Sequence, residues 1–335
     1  MAKGRLALVT GASGFLGLEL SRALLSARWR VRGSVRATHR PVADGVDPFV
    51  LADLADADAV RSAVTGVDAV VHCAGLAHVL DRSAARNDET FRRINVRGTQ
   101  TVFDAAAECG VRLFVFLSSV AAVSEGGPEP IAETTPPVPR TAYGRSKLEA
   151  EQVITARAST AELRTTILRP AMVYGPGMKG NPLRLFRLVQ QGVPLPVASV
   201  RNLRSVLYSG NLAAAVIASL DRAGARIETF LTADDEPVST PDLIRMIAAA
   251  LGRPARMASI PPDWLRAVAR AADGVAGGIR GLEQVEKLVG SAVVKPTRLN
   301  ELTGFRSPCS TREGLERTAR WYRSALAASA TAQVR

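Results

Sequence analysis

The sequence predicts an α/β protein, in which a doubly wound parallel sheet is followed by a smaller mixed lobe. Two observations support this class. Short apolar runs typical of buried strands alternate with amphipathic stretches typical of helices as far as about residue 170, and three glycines follow the first run. From Ala171 onward the alternation loosens. At 335 residues the chain is long enough for one large domain or two joined ones.

The first strand and the first helix, Phe15–Ala27, are predicted to flank a glycine-rich turn. Gly11 would turn the chain, Gly14 would let a pyrophosphate approach bare backbone, and Gly17 would let helix and strand pack closely. The phosphates would then lie at the positive end of the helix dipole. The pattern predicts a Rossmann-type dinucleotide site with contacts from Gly11, Ser13, Gly14, Phe15, Leu16 and Gly17.

The second and third strands are predicted over Val31–Arg36 and Phe49–Leu54. Arg36 stands where an NAD site usually has an acidic residue, and its guanidinium suits the 2′-phosphate of NADP, so NADP is favoured over NAD. The alternative is that Arg36 is a solvated loop residue. Asp53 and Leu54, at the tip of the third strand, are predicted to contact the cofactor. Asp53 suits a bond to the adenine amino group; alternatively it caps the helix that begins near residue 56.

The fourth strand is predicted over Ala69–Gly75. Its last residues, Ala74 and Gly75, are small enough to let the nicotinamide half of the cofactor lie across the sheet. His72, inside this apolar run, is predicted to be a core residue. His78, just past the strand, is placed to face a substrate.

A long helical segment over about residues 87–109 contains Asn95. The fifth strand, Leu113–Leu117, ends at a pair of serines, and a proline-rich loop leads from there to another long helix. Strands alternating with helices in this way place ligands at the carboxyl ends of the strands.

Tyr143 and Lys147 open that last helix and are four residues apart, which places both on one face. A lysine ammonium beside a phenol favours the phenolate and would lower the pKa of Tyr143 from about 10 toward working pH. Tyr143 would then serve as a general acid or base. Ser119, at the end of a neighbouring strand, could hydrogen-bond the same substrate oxygen.

Several motifs occur together in this chain: Thr10-Gly11-x-x-Gly14-x-x-Gly17, Asn95-Val96-x-Gly98-Thr99, Ser118-Ser119, Tyr143-x-x-x-Lys147 and Arg169-Pro170-x-x-Val173-Tyr174-Gly175-Pro176. In this combination the chain resembles the extended short-chain dehydrogenase/reductase family over about residues 5–325, and most of all its NAD(P)-dependent sugar epimerase/dehydratase branch. The resemblance implies that Ser119, Tyr143 and Lys147 are catalytic, with Ser118 the less suited serine. It also implies that Lys147 binds the nicotinamide ribose and that Asn95 holds the cofactor or its own helix.

The chain departs from that branch directly after Ser119. Val120 and Ala121 stand where a related dehydratase would have an acidic pair, which argues against a 4,6-dehydratase. The usual aromatic-glycine ending of the loop is also replaced, by the residues Val120 to Gly126.

In the second half, a loop over residues 175–182 is predicted to lead into a helix, Leu183–Gln190, and Arg201–Tyr208 reads as a strand. In similar UDP-sugar enzymes an Asn at the position of Asn181 and an Arg at that of Arg204 contact the nucleotide diphosphate, and an arginine fork suits that group. The alternatives are that Asn181 caps a helix and that Arg204 is a surface charge.

The remaining elements complete a smaller lobe. Residues 229–232 are predicted to return to the large sheet, and helices are predicted near Thr240–Leu251, Pro262–Ala272 and Thr311–Leu326. The predicted division is a cofactor domain over 1–170, joined by about 203–235, and a substrate lobe over 171–202 and 236–326. A disordered tail is predicted over 327–335.

Composition limits the classes of partner that the sequence predicts. The net charge of +12 comes from arginines scattered along the chain, which does not indicate nucleic-acid binding. Three widely spaced cysteines predict neither a disulfide framework nor a metal site. The first strand begins too early to leave room for a signal peptide, and no apolar run reaches the ~18 residues of a membrane span, so we expect a cytoplasmic protein without stable membrane insertion. The long helices over 89–109 and 141–156 could pair in a homodimer.

These observations predict an NAD- or NADP-dependent oxidoreductase that acts at C4 of a UDP-sugar, as a 4-ketoreductase or a 4-epimerase in surface-polysaccharide synthesis. Arg36 favours the reductase. One alternative is a carbonyl reductase similar to dihydroflavonol reductases or 3β-hydroxysteroid dehydrogenases, acting on an apolar substrate. An alternative of another class is a regulator that binds NADP without turnover.

Overall fold

The structure is a computed structural model and describes residues 4–77, 84–222, 224–276 and 280–333. Its strands are β1 (Leu6–Thr10), β2 (Arg30–Val35), β3 (Val46–Val50), β4 (Ala69–His72), β5 (Leu113–Leu117), β6 (Arg164–Pro170), β7 (Met172–Tyr174), β8 (Val206–Tyr208) and β9 (Ile227–Thr232). One seven-stranded parallel sheet has the order β3-β2-β1-β4-β5-β6-β9, and β7 pairs with β8 in a separate parallel sheet. The predicted doubly wound fold is confirmed, including the return of β9 to the large sheet.

The helices are α1 (Phe15–Ser26), α2 (Ala57–Val64), α3 (Ala84–Phe91), α4 (Gly98–Glu108), α5 (Ala142–Ala158), α6 (Gly180–Gln190), α7 (Ser209–Asp221), α8 (Thr240–Leu251), α9 (Pro262–Ala276), α10 (Arg280–Val289), α11 (Thr297–Thr303) and α12 (Thr311–Gln333). A π-helical turn, Arg92–Arg97, joins α3 to α4, and a 3₁₀ turn, Val120–Ala122, follows β5. The helical segment predicted over 87–109 is therefore confirmed and contains a π-helical turn, whereas α7, α10 and α11 are not predicted from the sequence.

Successive side chains along each strand point to opposite faces of the sheet, and both faces are covered by packed apolar residues. Ala7 and Val9 of β1 pack into a cluster with Leu20 and Leu24 of α1, whereas Leu8 packs on the other face. The strand order reverses between β1 and β4, the place where open α/β sheets bind ligands. The glycine turn after β1 and the small residues after β4 meet there.

Three predicted elements differ from the structure. β3 pairs with β2 from Val46 to Val50, so Asp53 lies past the strand rather than at its tip. Only residues 206–208 of the predicted strand 201–208 form a ladder, because Arg204 makes isolated bridges to Val238 and Ala292 instead. α12 runs to Gln333, whereas the sequence predicts a disordered tail from residue 327.

A separate apolar cluster lies beside the small sheet and includes Phe186 of α6, Ile244 of α8 and Tyr322 of α12. The buried carboxylate of Asp234 ties this region to the large sheet, since it accepts hydrogen bonds from the Tyr208 amide at 3.0 Å and from the Asn211 side chain at 2.8 Å. In the part of the chain that the structure describes, no helix is long and apolar enough to span a membrane.

Candidate active site

The turn after β1 is shaped for a group that needs bare backbone. Gly11 has a φ of +69°, in the left-handed region that favours glycine. A Cβ atom at Gly17 would lie 2.1 Å from the Gly11 carbonyl oxygen, so Gly17 allows the close packing that the sequence predicts. Gly14 is the N-cap of α1 and no side chain caps the helix, which leaves its first amide groups for an anion. The residues present therefore fit a pyrophosphate.

Neighbouring residues support this turn. Ser13, Phe15 and Leu16 are partly buried at the start of α1. Ser34 of β2 was not predicted, yet its hydroxyl accepts a hydrogen bond from the Gly11 amide at 3.2 Å and its carbonyl accepts one from the Ala12 amide at 3.0 Å. No local pattern marks Ser34, because its partners lie far away in the sequence.

The polar groups near the end of β2 are exposed. Arg36 directly follows β2, is exposed, and forms no ion pair with any residue that the structure describes. Asp53 is exposed as well; its carboxylate accepts hydrogen bonds from the Ala55 amide at 3.0 Å and from Arg93 at 3.2 Å. Asp56 caps α2, so the alternative role of Asp53 as that cap is wrong.

The last residue of β4 is a buried histidine. His72 is fully buried, with Nδ1 2.8 Å from the Thr10 hydroxyl and Nε2 3.0 Å from the Thr99 hydroxyl. Burial lowers the pKa of His72 to about 3, so the ring is neutral, and its prediction as a core residue is confirmed. His78 lies outside the described residues.

Asn95 of the π-helical turn holds the segment after β4. Its Oδ1 accepts from the Leu76 amide at 2.7 Å, and its Nδ2 donates to the Leu76 carbonyl at 2.9 Å and to the Ser146 hydroxyl at 3.0 Å. The small residues Ala74 and Gly75 are thereby positioned between β4 and α5. A π-helical turn is a frequent feature of functional sites, and here it directs Asn95 inward.

Leu54, a predicted cofactor contact, is partly buried and packs against Gly98, the first residue of α4. A Cβ atom at Gly98 would lie 2.9 Å from the Leu54 Cβ, so Gly98 allows the close approach.

The structure brings Ser119, Tyr143 and Lys147 together at the carboxyl ends of β4 and β5. The Ser119 side chain lies beside the Tyr143 phenol, and its hydroxyl accepts a hydrogen bond from the Ala121 amide at 3.2 Å. Lys147 is buried, and its Nζ donates to the Leu117 carbonyl at 2.9 Å. A Cβ atom at Gly75 would lie 3.4 Å from that Nζ, so the lysine borders the end of β4.

Burial controls the two titratable groups of this set. It raises the pKa of Tyr143, although the neighbouring Ser119 hydroxyl acts in the opposite direction. It lowers the pKa of Lys147 to about 8. The sequence-based expectation of a lowered Tyr143 pKa is therefore wrong for this structure, because loss of solvent penalises the phenolate and the Lys147 ammonium points to a carbonyl.

The two serines after β5 point to different partners. Ser118 is buried and its hydroxyl donates to the carboxylate of Glu151 on α5, whereas Ser119 contacts Tyr143. Glu151 was not predicted, although its place four residues after Lys147 is a helical spacing that could have indicated it.

The residues that replace the usual loop ending pack against the start of α5. Glu125 accepts hydrogen bonds from the Thr141 amide at 2.9 Å and the Thr141 hydroxyl at 2.8 Å, and Thr141 caps α5. A Cβ atom at Gly144 would lie 2.3 Å from the Ala121 carbonyl oxygen. Glu125 thus fixes the loop that carries Ser119 against the helix that carries Tyr143.

The two predicted substrate residues lie in different surroundings. Asn181 is exposed in the first turn of α6, whose N-cap is Lys179, so the alternative that Asn181 caps this helix is wrong. Arg204 is partly buried, and its Nη1 donates to the Gly290 carbonyl at 2.7 Å. Burial lowers the pKa of Arg204, and within the described chain no carboxylate offsets that effect. The alternative of a plain surface charge does not fit this environment.

The fold and the site together define a class, the extended short-chain dehydrogenases/reductases, in which a glycine turn lies next to a serine, tyrosine and lysine. The chain belongs to the NAD dependent epimerase/dehydratase family, whose sequence model matches residues 7–230. This confirms the predicted family, and the cofactor is therefore NAD or NADP.

Similar proteins differ in the substrates that their names state. UDP-glucose 4-epimerase of Vibrio cholerae is 32% identical over 317 residues, which are 93% of this chain and 94% of that protein. Ceramide reductase of Caulobacter vibrioides is 27% identical over 95% of this chain and 94% of its own length. The solved structure of MoeE5 in complex with UDP-glucose and NAD is 25% identical, with a TM-score of 0.76 over 96% of this chain and 100% of that chain.

Proposed function

We propose that this chain is an NAD(P)-dependent oxidoreductase that acts at C4 of a UDP-sugar, as a 4-epimerase or a 4-ketoreductase. The observation that carries the proposal is the placement of Ser119, Tyr143 and Lys147 in one cluster, beside the end of β4 and at the edge of the sheet where the glycine turn opens. Such a cluster suits proton exchange with an oxygen whose carbon gains or loses a hydride.

The cofactor would be held by the chain's own backbone and a few side chains. Gly11, Gly14 and the first turn of α1 would bind the pyrophosphate, and Lys147 would bind the nicotinamide ribose. When bound, the nicotinamide ring accepts or supplies a hydride. Arg36 is exposed at the end of β2 and free to contact a 2′-phosphate, which supports use of NADP.

Tyr143 would exchange a proton with the sugar C4 oxygen. During reduction of a 4-keto group it acts as the acid, a role that suits a phenol whose pKa is raised by burial. During oxidation it acts as the base, which requires a nearby positive charge to favour the phenolate. Lys147, with a pKa of about 8, is mostly an ammonium at neutral pH and provides that charge. Ser119 would donate a hydrogen bond to the same oxygen.

Arg204 supports a diphosphate-bearing substrate. A partly buried guanidinium without a carboxylate partner in the described chain leaves a positive charge that a diphosphate would neutralise. Asn181, exposed on α6, would provide a second polar contact. The full-length similarity to a UDP-glucose 4-epimerase supports the same substrate class.

The 4-epimerase and the 4-ketoreductase are distinguished by whether the purified protein retains its cofactor. We would identify the nucleotide released from the purified, denatured protein and then supply UDP-glucose, UDP-GlcNAc or a UDP-4-keto-6-deoxy sugar. Retained NAD with interconversion of C4 epimers establishes the epimerase, which the Vibrio cholerae relative supports. If added NADPH is consumed only when the UDP-4-keto-6-deoxy sugar is supplied, the protein is the reductase. Arg36 supports this outcome. The absence of turnover with every nucleotide sugar contradicts the proposal.

A second candidate is a reductase of an apolar ketone. The ceramide reductase of Caulobacter vibrioides covers as much of the chain as the epimerase does, and the Arg204 guanidinium already has one carbonyl partner. NADPH oxidation with a long-chain ketone, and none with UDP-sugars, would establish it. Cofactor binding without turnover of either substrate would instead indicate a regulator.

A homodimer through the segments 89–109 and 141–156 is part of the proposal. Within one chain the two segments lie side by side and are joined by ion pairs, Arg92 with Glu149 at 3.2 Å and, directly after the second segment, Arg157 with Asp104 at 2.7 Å. Light scattering of the purified protein would test the association.

A further inference from the structure

Helix α5 presents a third polar side chain to the end of the sheet. Tyr143, Lys147 and Glu151 follow one another at intervals of four residues, so all three lie on one face of the helix. Glu151 is only 4% exposed. A carboxylate so deeply buried must be paired, since an unpaired buried charge is strongly destabilising.

The Glu151 carboxylate joins three elements of the site. Arg169 of β6 donates from Nε to Oε1 at 3.0 Å and from Nη2 to Oε2 at 2.6 Å, a two-point contact that fixes the orientation of the carboxylate. Ser118 donates its hydroxyl to Oε1. Since Ser118 directly precedes Ser119, this one carboxylate connects the helix of Lys147 to the strand end that carries Ser119.

Glu151 also affects the protonation of Lys147. The groups around this lysine that titrate or carry charge are Cys73, His72, Tyr143, Glu151 and, behind Glu151, Arg169. Burial raises the pKa of Cys73 to about 12 and lowers that of His72 to about 3, so both are uncharged near neutral pH. Burial lowers the pKa of Lys147, while Cys73 and then Glu151 raise it; since the Cys73 thiol is uncharged near neutral pH, Glu151 is the carboxylate that favours the Lys147 ammonium.

We propose that Glu151 is a positioning residue of the active site: its carboxylate holds Ser119 and Lys147 in one frame through Ser118 and Arg169, and keeps the Lys147 side chain charged. The catalytic consequence rests on the proposed function, in which the Lys147 ammonium favours the Tyr143 phenolate. The charge of Lys147 itself can be measured without any substrate.

The direct test is a titration of Lys147 by NMR. The chain's lysines are only Lys3, Lys147, Lys179, Lys287 and Lys295, so the ¹³Cε signals of lysine-labelled protein are few, and Lys147→Arg assigns the one required. The wild-type lysine should titrate near its pKa of about 8. In Glu151→Gln the pKa should fall by about one unit or more, because an opposite charge is removed. An unchanged or higher pKa overturns the proposal, since mere loosening would admit water and raise it.

Two further variants provide matched controls. Ser118→Ala removes a contact of the same carboxylate without changing charge and should leave the Lys147 pKa nearly unchanged. Arg169→Gln removes the neighbouring cation and should raise it. If circular dichroism shows that Glu151→Gln does not fold, the Lys147 pKa values of these two variants test the proposed charge effect instead. Equal shifts in both would overturn the proposed charge effect.

The pH–rate profile separates this proposal from the proposed function. The alkaline loss of kcat should move to lower pH in Glu151→Gln by the shift that NMR measures, with little change in KM for the sugar. A displaced Lys147 titration with an unmoved profile would overturn the catalytic consequence. If the wild-type protein turns over no UDP-sugar, the proposed function fails, while the NMR titration still decides the role of Glu151.

Discussion

The two ends of the proposed cofactor site are built differently. Around Tyr143 and Lys147, which we call the catalytic end after their proposed role, polar side chains are buried or partly buried, and burial shifts the pKa values of both residues. At the β2 end, Arg36 and Asp53 are exposed, and the contact of Asp53 with Arg93 is a surface ion pair. Buried charges interact strongly and solvated ones weakly. The catalytic end is therefore suited to proton transfer, whereas the β2 end can contribute only affinity and choice of cofactor.

The largest expected effect is at the catalytic end. Tyr143→Phe removes the hydroxyl that exchanges the proton in the proposed reaction and should lower kcat by about 10²- to 10⁴-fold, the usual contribution of a general acid or base. Binding of NADH, followed by its fluorescence, should remain within a few-fold of wild type. Turnover by the variant at a wild-type rate would show that another group transfers the proton.

The second effect concerns stability in acid. The pKa of His72 is about 3 in the fold, below the 6.5 of a free histidine, so the unfolded chain binds more protons between these values. The contribution of His72 to stability is complete above pH 6.5 and should decline by about 1.4 kcal/mol per pH unit as the pH falls toward 3.

Urea unfolding at a series of pH values measures that decline. His72→Gln, which cannot titrate, should show a flatter dependence between pH 6 and pH 4, even if it is less stable throughout. Identical slopes for the variant and the wild type would contradict the assignment of a neutral buried ring.

The glycine turn connects the two ends, and Gly17→Ala tests its packing. The added Cβ would meet the Gly11 carbonyl oxygen at 2.1 Å, so the backbone must shift, with an expected loss of about 1–3 kcal/mol in the free energy of unfolding and weaker cofactor binding. Gly127→Ala is the control, because no atom lies within 4 Å of its added Cβ. Equal losses in the two variants, measured by urea unfolding, would refute the close-packing argument.

The smallest effects belong to the β2 end. Arg36→Ala should weaken NADP binding about tenfold by removing a charge-assisted contact to the 2′-phosphate, and should leave NAD binding unchanged. Asp53→Asn, which breaks the exposed pair with Arg93, should change stability by less than about 1 kcal/mol. Calorimetric titration with both cofactors checks the first effect; an equal loss for NAD and NADP would make Arg36 a solvated loop residue.

The two ends differ in how far local sequence predicts their structure. The proximity of Tyr143 and Lys147 and the position of Ser119 at a strand end could be predicted, because motif spacing and helical periodicity are local properties. The sequence predicts the third strand over Phe49–Leu54, whereas β3 is Val46–Val50, because an apolar run does not reveal where pairing with β2 stops. The direction of the Tyr143 pKa shift was also wrong, because spacing shows that a lysine is near but not how much solvent the phenol loses.

The sequence by itself determined the doubly wound sheet, the glycine turn and the family, because strand and helix periodicity and short motifs are written in neighbouring residues. The tertiary structure alone decided which carboxylates are buried and what they contact. Glu151 acquires its role only when β5, β6 and α5 meet, and Arg204 becomes a partly buried cation only when Gly290 is brought beside it. Burial and long-range contacts set these properties, and both depend on residues that are distant in the chain.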